Sequence, residues 1–367
     1  MFIKQLYTGC ISEAAYYVES NGEAAIIDPL RDTEVYTNLA KERNAVIKYI
    51  FETHFHADFV SGHFDLSKKT GAPIVYGPRT ETKFDVHIAK DGELFTLGDI
   101  SFTVLHTPGH TIESSCYLLK DEQGKDHALF SGDTIFVGDV GRPDLSSGDM
   151  TAEELAAIMY DTIQTKILPL ADTVLLYPAH GPGSSCGKNL GPNTFSTIGD
   201  EKKSNYALQP QTKENFIKAV TDGLAEAPRY FPINALINKE GYESLDTVKE
   251  KALVPLSVAD FKNKMNRDIT VLDTRPGNVF IEGFVPGSIF IGLEGRLVEW
   301  AGSIVSFEKP ILLITETGKE EETVIRLARV GFSRFEGLLK GGFEEWQNAG
   351  EAIDMVITIE DDEFEMD

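Results

Sequence analysis

Residues 53–59 read THFHADF, which is the most informative stretch of the sequence. It directly follows the apolar run Ile47–Phe51, which is typical of a short buried strand. Two histidines two residues apart on a loop that leaves a strand can converge on one ion, because imidazole nitrogen is a good ligand for transition metals. The stretch therefore predicts a metal site at the end of this strand.

Three further pieces of the chain place polar side chains after strand-like runs. They are TPGH at residues 107–110, SGDT at residues 131–134 and YPAHG at residues 177–181. In α/β folds, the loops that leave strand ends are where ligands gather. A single loop histidine is most often an ordinary polar residue, but four such pieces in this order favour one shared metal site.

The chemistry-bearing residues divide the chain into two parts. All eight histidines lie at or before His180, and all three cysteines lie at or before Cys186. The charged, turn-rich stretch 240–254 is interpreted as a linker, and strand and helix patterns alternate beyond it, which predicts a small parallel sheet. The predicted segments are a metal-binding catalytic domain over 1–245, an α/β domain over 255–352 and an acidic tail over 353–367.

Composition and charge narrow the range of partners. The 367 residues include 34 Lys+Arg against 58 Asp+Glu, a formal net charge of −24. Proteins that bind nucleic acids or anionic membranes present clustered cations, so this balance argues against both partners. Three scattered cysteines, with no visible signal peptide or apolar membrane span, predict a reduced, cytoplasmic protein. A homo-oligomer is the default expectation for its assembly.

Residues 1–245 resemble the metallo-β-lactamase superfamily, whose fold is an αββα sandwich with a metal site between the sheets. The stretches THFHADFVSGH, TPGHTIESSCYLL, SGDTIFVGDVGRPDL and PAHGPGSSCGK closely resemble bacterial persulfide dioxygenases that are fused to rhodanese domains. The resemblance implies one Fe(II) per chain, held by His54, His110 and Asp133 as a two-histidine, one-carboxylate triad. His56, Asp58 and His180 are then either groups that hold water beside the iron or a second metal site.

Phe59 departs from the superfamily pattern, HxHxDH, at its last position. In two-metal members that histidine helps to hold the second ion, and a phenyl ring cannot ligate a metal. The departure favours iron over zinc and weakens the reading as a two-zinc hydrolase. A metal-dependent thioester hydrolase of the glyoxalase II kind remains the alternative, and a non-catalytic sulfur-binding protein is the third interpretation.

The resemblance also implies a reaction. Glutathione persulfide, or another low-molecular-weight thiol persulfide, would be oxidised by O2 to sulfite and the free thiol, which is a step of sulfide detoxification. Asp58 and His56 are the residues expected to handle protons.

Three residues are candidates for substrate binding, and each has a structural alternative. Arg142 pairs with a substrate carboxylate, with Asp144 of its own loop, or with both at once. Tyr177 either reaches the pocket with its hydroxyl or packs in the core. Cys186 either takes part in sulfur exchange or shapes the entrance.

Residues 255–352 resemble a rhodanese domain on the pieces VLDTR at 271–275 and LKGGFEEW at 339–346. A working rhodanese carries a cysteine directly after the strand that matches Ile311–Ile314, where this chain has Thr315. Beyond Gly318, Glu320 stands where an arginine is usual. Threonine cannot carry a persulfide and acidic residues repel an anionic sulfur donor, so we expect this domain to be inactive in sulfur transfer.

Overall fold

The computed structural model describes residues 1–145, 150–266 and 268–357. It divides into two compact units, Met1–Tyr242 and Glu243–Asp367. Among the described residues, no helix combines the length and the apolar character that crossing a membrane would need.

Two six-stranded sheets form the first unit over its described residues. The first sheet has the order β1-β2-β3-β4-β5-β6 and the second has the order β12-β11-β10-β9-β8-β7. The strands of the first sheet are β1 (Phe2–Thr8), β2 (Glu13–Ser20), β3 (Glu23–Ile27), β4 (Val46–Phe51), β5 (Ile74–Tyr76) and β6 (His87–Ile88). Those of the second are β7 (Leu94–Leu97), β8 (Ile100–His106), β9 (Ser115–Lys120), β10 (Asp126–Gly132), β11 (Leu175–Pro178) and β12 (Ser196–Thr197).

Helices cover the outer faces of both sheets. They are α1 (Glu34–Glu42), α2 (His63–Thr70), α3 (Ala152–Thr162), α4 (Ile198–Ser204), α5 (Lys213–Thr221) and α6 (Phe231–Glu240), with a π-helical turn at Ile163–Ile167 and a 3-10 turn at Tyr206–Leu208. On the first sheet, Tyr36 and Leu66 pack against Ile26 and Ile50. Helices α3 and α5 pack on the second sheet in the same way.

The main core lies between the two sheets. It is rich in aromatic rings, including Tyr16, Phe51, Phe102 and Phe130, each at most 1% exposed. Burial of one such side chain stabilises the fold by about 1.5–3 kcal/mol. The resulting layers, helix, sheet, sheet and helix, confirm the predicted αββα sandwich.

A five-stranded sheet forms the second unit, and every adjacent pair of its strands is parallel. This confirms the predicted small parallel sheet. The strands, in the order β13-β17-β16-β14-β15, are β13 (Pro255–Leu256), β14 (Thr270–Asp273), β15 (Ile289–Phe290), β16 (Ile311–Ile314) and β17 (Phe335–Leu339). The helices are α7 (Leu245–Ala252), α8 (Val258–Lys264), α9 (Gly277–Phe280), α10 (Leu297–Ile304), α11 (Glu320–Arg329) and α12 (Gly342–Asn348).

The interpretation of residues 240–254 as a linker was wrong, because α7 occupies most of this stretch. The Ser244 side chain caps the helix by accepting a hydrogen bond from the Thr247 backbone N–H. Leu245, Val248 and Ala252 are buried along one face. The charges that suggested a linker are the solvent face of an amphipathic helix.

The start of the predicted acidic tail belongs to the ordered second unit. Phe284 and Asp354 exchange two backbone hydrogen bonds, with N···O distances of 2.8 and 2.9 Å, and the Val356 N–H donates to the Ile281 carbonyl at 3.0 Å. Residues 353–357 are therefore paired with the domain. The rest of the predicted tail, 358–367, lies outside the described residues.

Candidate metal centre

Loops that leave four strands build the site at one end of the sandwich. His54 follows β4, His110 follows β8, Asp133 follows β10 and His180 follows β11. Backbone hydrogen bonds tie these segments together. The Ser115 N–H donates to the Thr53 carbonyl at 2.8 Å between the two sheets, and the Ala179 N–H donates to the Gly132 carbonyl at 3.1 Å within the second sheet.

Gly132 permits the closest of these approaches. Its φ is +53°, and an added Cβ would lie 2.5 Å from the Thr53 Oγ1. Only glycine fits both the backbone conformation and the space. The strand that carries Asp133 can therefore reach the loop that carries His54.

His54, His110 and Asp133 form the first donor group. Each is 2% exposed, and their donor atoms all lie within 4.8 Å of one another. The Asp133 Oδ2 is 3.8 Å from the His54 Nε2 and 3.5 Å from the His110 Nε2. Neither Asp133 carboxylate oxygen has a hydrogen-bond partner among the described residues. Leaving a buried carboxylate unsatisfied is costly, so these residues fit a bound metal cation.

Neighbouring groups hold the far nitrogen of each imidazole. The His54 Nδ1 is 2.9 Å from the Thr53 Oγ1, which itself lies 2.9 Å from Asp28 Oδ2. The His110 Nδ1 is 2.8 Å from the Arg142 carbonyl oxygen. These contacts turn both Nε2 atoms towards Asp133, as in metal sites whose ligands are oriented by outer partners. Burial, followed by the neighbouring imidazoles, holds the pKa of His54 well below its ordinary value and keeps the ring neutral.

His56, Asp58 and His180 form a second donor group, also within 4.8 Å of one another. The His180 Nε2 is 3.5 Å from both Asp58 Oδ2 and Asp133 Oδ1. Burial raises the pKa of Asp58. Burial alone lowers the pKa of His180, but the carboxylates of Asp133 and Asp58 outweigh it, and the net pKa is raised. The structure thus places the second predicted set directly beside the first.

Phe59 packs beside His56 and has no atom that could ligate a metal. It is fully buried, and its ring lies 4.3 Å from the His56 ring at an interplanar angle of 30°. The Asn238 Nδ2 of α6 donates to the carbonyl oxygens of His56 and Phe59, both at 2.8 Å. Asn238 therefore fixes the backbone of the motif, a role that no local sequence signal indicated.

Comparison with known proteins agrees with this fold. Residues 8–180 match the family model of the metallo-beta-lactamase superfamily, and residues 257–349 match the rhodanese-like domain. A crystal structure of a metallo-beta-lactamase from Staphylococcus aureus subsp. aureus COL is 31% identical, with a TM-score of 0.82 over 93% of this chain and 99% of that one. The chain belongs to the metallo-β-lactamase superfamily.

Two further proteins similar to this chain carry different names. A crystal structure of ETHE1 from Myxococcus xanthus is 26% identical, with a TM-score of 0.56 over 65% of this chain and 98% of that one. The hydroxyacylglutathione hydrolase GloC of Haemophilus influenzae is 28% identical over 211 residues, which are 52% of this chain and 89% of that protein. The superfamily is thus established, whereas the reaction has to be argued from the site.

The sequence analysis did not predict an acidic pair, Asp28 and Glu52, that lies beside His56 of the motif. The His56 Nε2 lies 3.1 Å from Asp28 Oδ1 and 3.6 Å from Glu52 Oε2. Asp28 and Glu52 directly follow the adjacent strands β3 and β4, a placement that could have signalled them. Burial, followed by the nearby Asp28, raises the pKa of Glu52 well above its ordinary value.

Arg142 pairs with Asp144 of its own loop, which is the structural alternative that the sequence offered for it. It is 4% exposed, and its Nε and Nη2 each lie 2.7 Å from an oxygen of Asp144. Its Nη2 also donates to the Ala225 carbonyl at 2.5 Å. The guanidinium is fully engaged inside the protein, and its structural role is to shape the loop whose carbonyl holds His110.

Tyr177 is half-buried and packs against the core between the sheets, which is the second of the two placements that the sequence left open. Its ring stacks on Phe130 with centroids 5.5 Å apart and packs 5.3 Å from Tyr16. Because successive residues of a strand face opposite sides, its position on β11 turns it inward.

Cys186 lies beside the metal centre. Its sulfur belongs to a third close group with Asp133 and His180, and the residue is 1% exposed. Burial, followed by the carboxylates of Asp58 and Asp133, raises the pKa of this thiol well above its ordinary value. The thiol therefore lies beside the candidate metal donors and is held in its neutral form.

In the rhodanese-like unit, Thr315 directly follows β16 and is 5% exposed. Gly318 adopts φ +86°, and α11 then begins with Glu320, Glu321 and Glu322. The Lys319 Nζ is 2.9 Å from Glu322 Oε2, which neutralises the nearest cation. The loop thus presents acidic side chains where an anionic sulfur donor would have to bind.

Proposed function

We propose that this protein is an Fe(II)-dependent persulfide dioxygenase. It would oxidise glutathione persulfide, or another low-molecular-weight thiol persulfide, with O2 to sulfite and the free thiol. The observation that carries the proposal is the convergence of His54, His110 and Asp133 beside a motif whose last position is the apolar Phe59. Two imidazoles and one carboxylate are the donor set of non-haem iron oxygenases.

The reaction balances with one water molecule. One persulfide, one O2 and one water give one thiol, one sulfite and two protons, and four electrons pass from sulfur to oxygen overall. Iron bound by the triad would supply adjacent sites for sulfur and oxygen and the redox chemistry between them.

The chain's own residues orient the donors and handle the protons. The hydrogen bonds of Thr53 and of the Arg142 carbonyl fix the two imidazoles. Asp58 and His180 lie 3.5 Å apart at the edge of the triad, and the raised pKa of Asp58 suits a proton acceptor. These two residues can hold the protons that leave with sulfite.

A thioester hydrolase of the glyoxalase II kind is the second candidate, and two observations favour it. His56, Asp58 and His180 form a close donor group, and relatives named as hydroxyacylglutathione hydrolases are 28% and 29% identical to this chain. This reaction would need a second metal ion held without the imidazole that Phe59 replaces.

Oxygen uptake separates the two functions. The full chain is loaded anaerobically with Fe(II) and then given glutathione persulfide and O2, while a zinc-loaded sample is given S-lactoylglutathione. We expect one sulfite formed for each O2 consumed by the iron form and little thioester hydrolysis by the zinc form. Absence of oxygen uptake together with rapid thioester hydrolysis would reverse the assignment.

We further propose that the rhodanese-like unit transfers no sulfur. Thr315 has no thiol, and each cysteine of the chain lies in the first unit. The purified protein should show no cyanide-dependent consumption of thiosulfate, and measurable thiocyanate formation would contradict this proposal.

A further inference from the structure

A cleft of about 560 Å³ opens on the first unit beside the loops that carry two of the metal donors. Phe55, between the two histidines of the motif, forms part of its wall. Ile112 and Glu113, shortly after His110, form another part. A molecule seated in this cleft would be held by the same loops that hold the metal donors.

Two cationic side chains, Arg79 and Lys239, line the cleft. Arg79 is exposed, and its guanidinium has no hydrogen-bond or ion-pair partner within residues 1–145, 150–266 and 268–357. The Lys239 Nζ is 3.7 Å from Glu81 Oε2, and these side chains are 45% and 85% exposed, so the pair is weak. Both cations can therefore accept an anionic partner.

The backbone at Arg79 adopts an unusual conformation. Its φ is +64°, in the left-handed region that residues other than glycine seldom occupy. The next residue, Thr80, is buried, and its Oγ1 donates to the Gly77 carbonyl at 2.9 Å. Such conformations persist where the surrounding structure holds them, so the turn sets the point from which Arg79 extends along the cleft.

The rest of the lining combines apolar surface with two carboxylates, Glu113 and the exposed Glu81 that pairs weakly with Lys239. Phe55, Ile112 and the exposed Leu236 supply the apolar wall. Glu113 is 5% exposed, and its Oε1 accepts a hydrogen bond from the Phe55 N–H at 3.1 Å, which braces the loop. An apolar wall with two cations suits an aliphatic molecule that ends in carboxylates.

We propose that this cleft binds the carboxylate end of the thiol carrier, with Arg79 and Lys239 as specificity-determining residues. The substrate class is then persulfides of carboxylate-bearing thiols, and this inference rests on the proposed persulfide oxidation. It gives the substrate-binding role to Arg79 in place of Arg142, whose guanidinium is bound to Asp144. A local pair of cations also explains how an anionic substrate enters a protein of net charge −24.

Kinetics with a charged and an uncharged substrate test the assignment. Glutathione persulfide is compared with the persulfide of glutathione diethyl ester on the iron-loaded full chain. Arg79→Gln should raise the KM for the acid about tenfold and leave its kcat within about twofold, because one charge-assisted contact is lost. The KM for the ester should not change. Arg79→Lys should restore part of the loss, and Lys4→Gln, at an exposed lysine on β1, is the matched control for Lys239→Gln.

Binding of an unreactive probe provides a readout without turnover. Titration calorimetry with S-methylglutathione should show binding to the wild type, about tenfold weaker binding to Arg79→Gln, and no such difference for the diethyl ester of the probe. An unchanged affinity, or an equal loss for acid and ester, would overturn the inference. If S-methylglutathione binds through Arg79 but the iron form consumes no oxygen, the proposed reaction fails while the cleft stands. If the iron form consumes oxygen normally and Arg79→Gln has no effect, the proposed reaction stands while the assignment of the cleft fails.

Discussion

Asp133 and Thr315 occupy matching local positions, because each directly follows a buried strand, β10 in the first unit and β16 in the second. Around Asp133, loops from three other strands deliver His54, His110 and His180. After Thr315, the chain turns at Gly318 and enters a helix that begins with three glutamates. One strand end gathers donors that fit a metal ion, and the other lacks a thiol and precedes a loop whose lysine is paired with a glutamate.

The difference shows what a fold supplies and what it leaves to individual residues. A sheet places loops side by side at its strand ends, which is why ligands collect there. The chemistry still depends on side chains that converge from separate loops. We propose that a single replacement removes it, Thr315 for sulfur transfer in the second unit and Phe59 for a second metal ion in the first.

Removal of one imidazole from the first unit should have the largest effect. His110→Ala deletes a triad donor, so iron content should fall to background and oxygen uptake should drop at least about 1,000-fold. Elemental analysis and an oxygen electrode measure both quantities. His87→Ala, at an exposed histidine on β6, is the matched control and should keep iron and activity. Full activity of His110→Ala would show that the three residues do not hold the metal.

Restoring the superfamily histidine should shift the first unit towards the hydrolases. Phe59→His adds a donor beside Asp58 and His180, so a second metal ion per chain should bind. Oxygen uptake should fall about 10- to 100-fold, the usual range for changes around metal ligands. S-lactoylglutathione hydrolysis should rise in the same sample.

Phe59→Leu serves as the control for this replacement, since it perturbs the packing without adding a donor. Removal of the fully buried ring should destabilise both variants by about 1–3 kcal/mol. One metal ion per chain in Phe59→His would mean that Phe59 does not decide the metal count.

The buried His63 should make the free energy of unfolding of the first unit depend on pH. Burial, followed by His56 and Arg31, lowers the pKa of His63 from 6.5 to about 3, so the folded protein holds this ring neutral. Its contribution is therefore present above pH 6.5 and is lost as the pH falls below it. Between pH 7 and pH 5 this amounts to about 2 kcal/mol of unfolding free energy.

Urea unfolding of the metal-free protein and of His63→Phe measures this contribution. Circular dichroism should show a pH-dependent difference between the two proteins. The fluorescence of Trp300 and Trp346 provides an internal control, because both tryptophans lie in the second unit. An identical pH dependence of the two dichroism transitions would show that His63 is not held neutral.

The smallest effect is expected at Thr315. Thr315→Ala should leave oxygen uptake within about twofold of the wild type, because the proposed reaction includes no sulfur transfer by the second unit. The same oxygen electrode assay measures it. A tenfold loss would show that the second unit contributes to turnover, and the contrast between the two strand ends would then fail.

Much of the fold could be predicted from local patterns. The apolar runs that precede residues 53–59 and 131–134 are strands, and the four motif pieces meet because strand ends share one edge of the sandwich. The parallel sheet of the second unit followed from the alternation of strands and helices. The helix at residues 245–252 was not predicted, since a short amphipathic helix and a charged linker have similar compositions.

Contacts between distant residues could not be predicted. Whether Arg142 faces Asp144 or a substrate depends on where its loop packs, and Tyr177 depends on the register of β11. Asn238 reaches the motif across 182 residues of chain, to the His56 carbonyl. Asp28 and Glu52 contact His56 only because β3 and β4 are neighbours. Arg79 became a candidate only when the cleft around it was visible.

Separate loading with iron and with zinc measures the metal content on which the proposed function depends. The metal-free full chain is loaded anaerobically with Fe(II) alone or with Zn(II) alone, because zinc generally binds more tightly than Fe(II) when the two compete for one site. Elemental analysis is then combined with oxygen uptake on glutathione persulfide. We expect one iron per chain, an oxygen uptake proportional to the iron content, and no oxygen uptake by the zinc-loaded sample. Two metal ions per chain, with no oxygen uptake by the iron-loaded sample, would contradict the proposed dioxygenase.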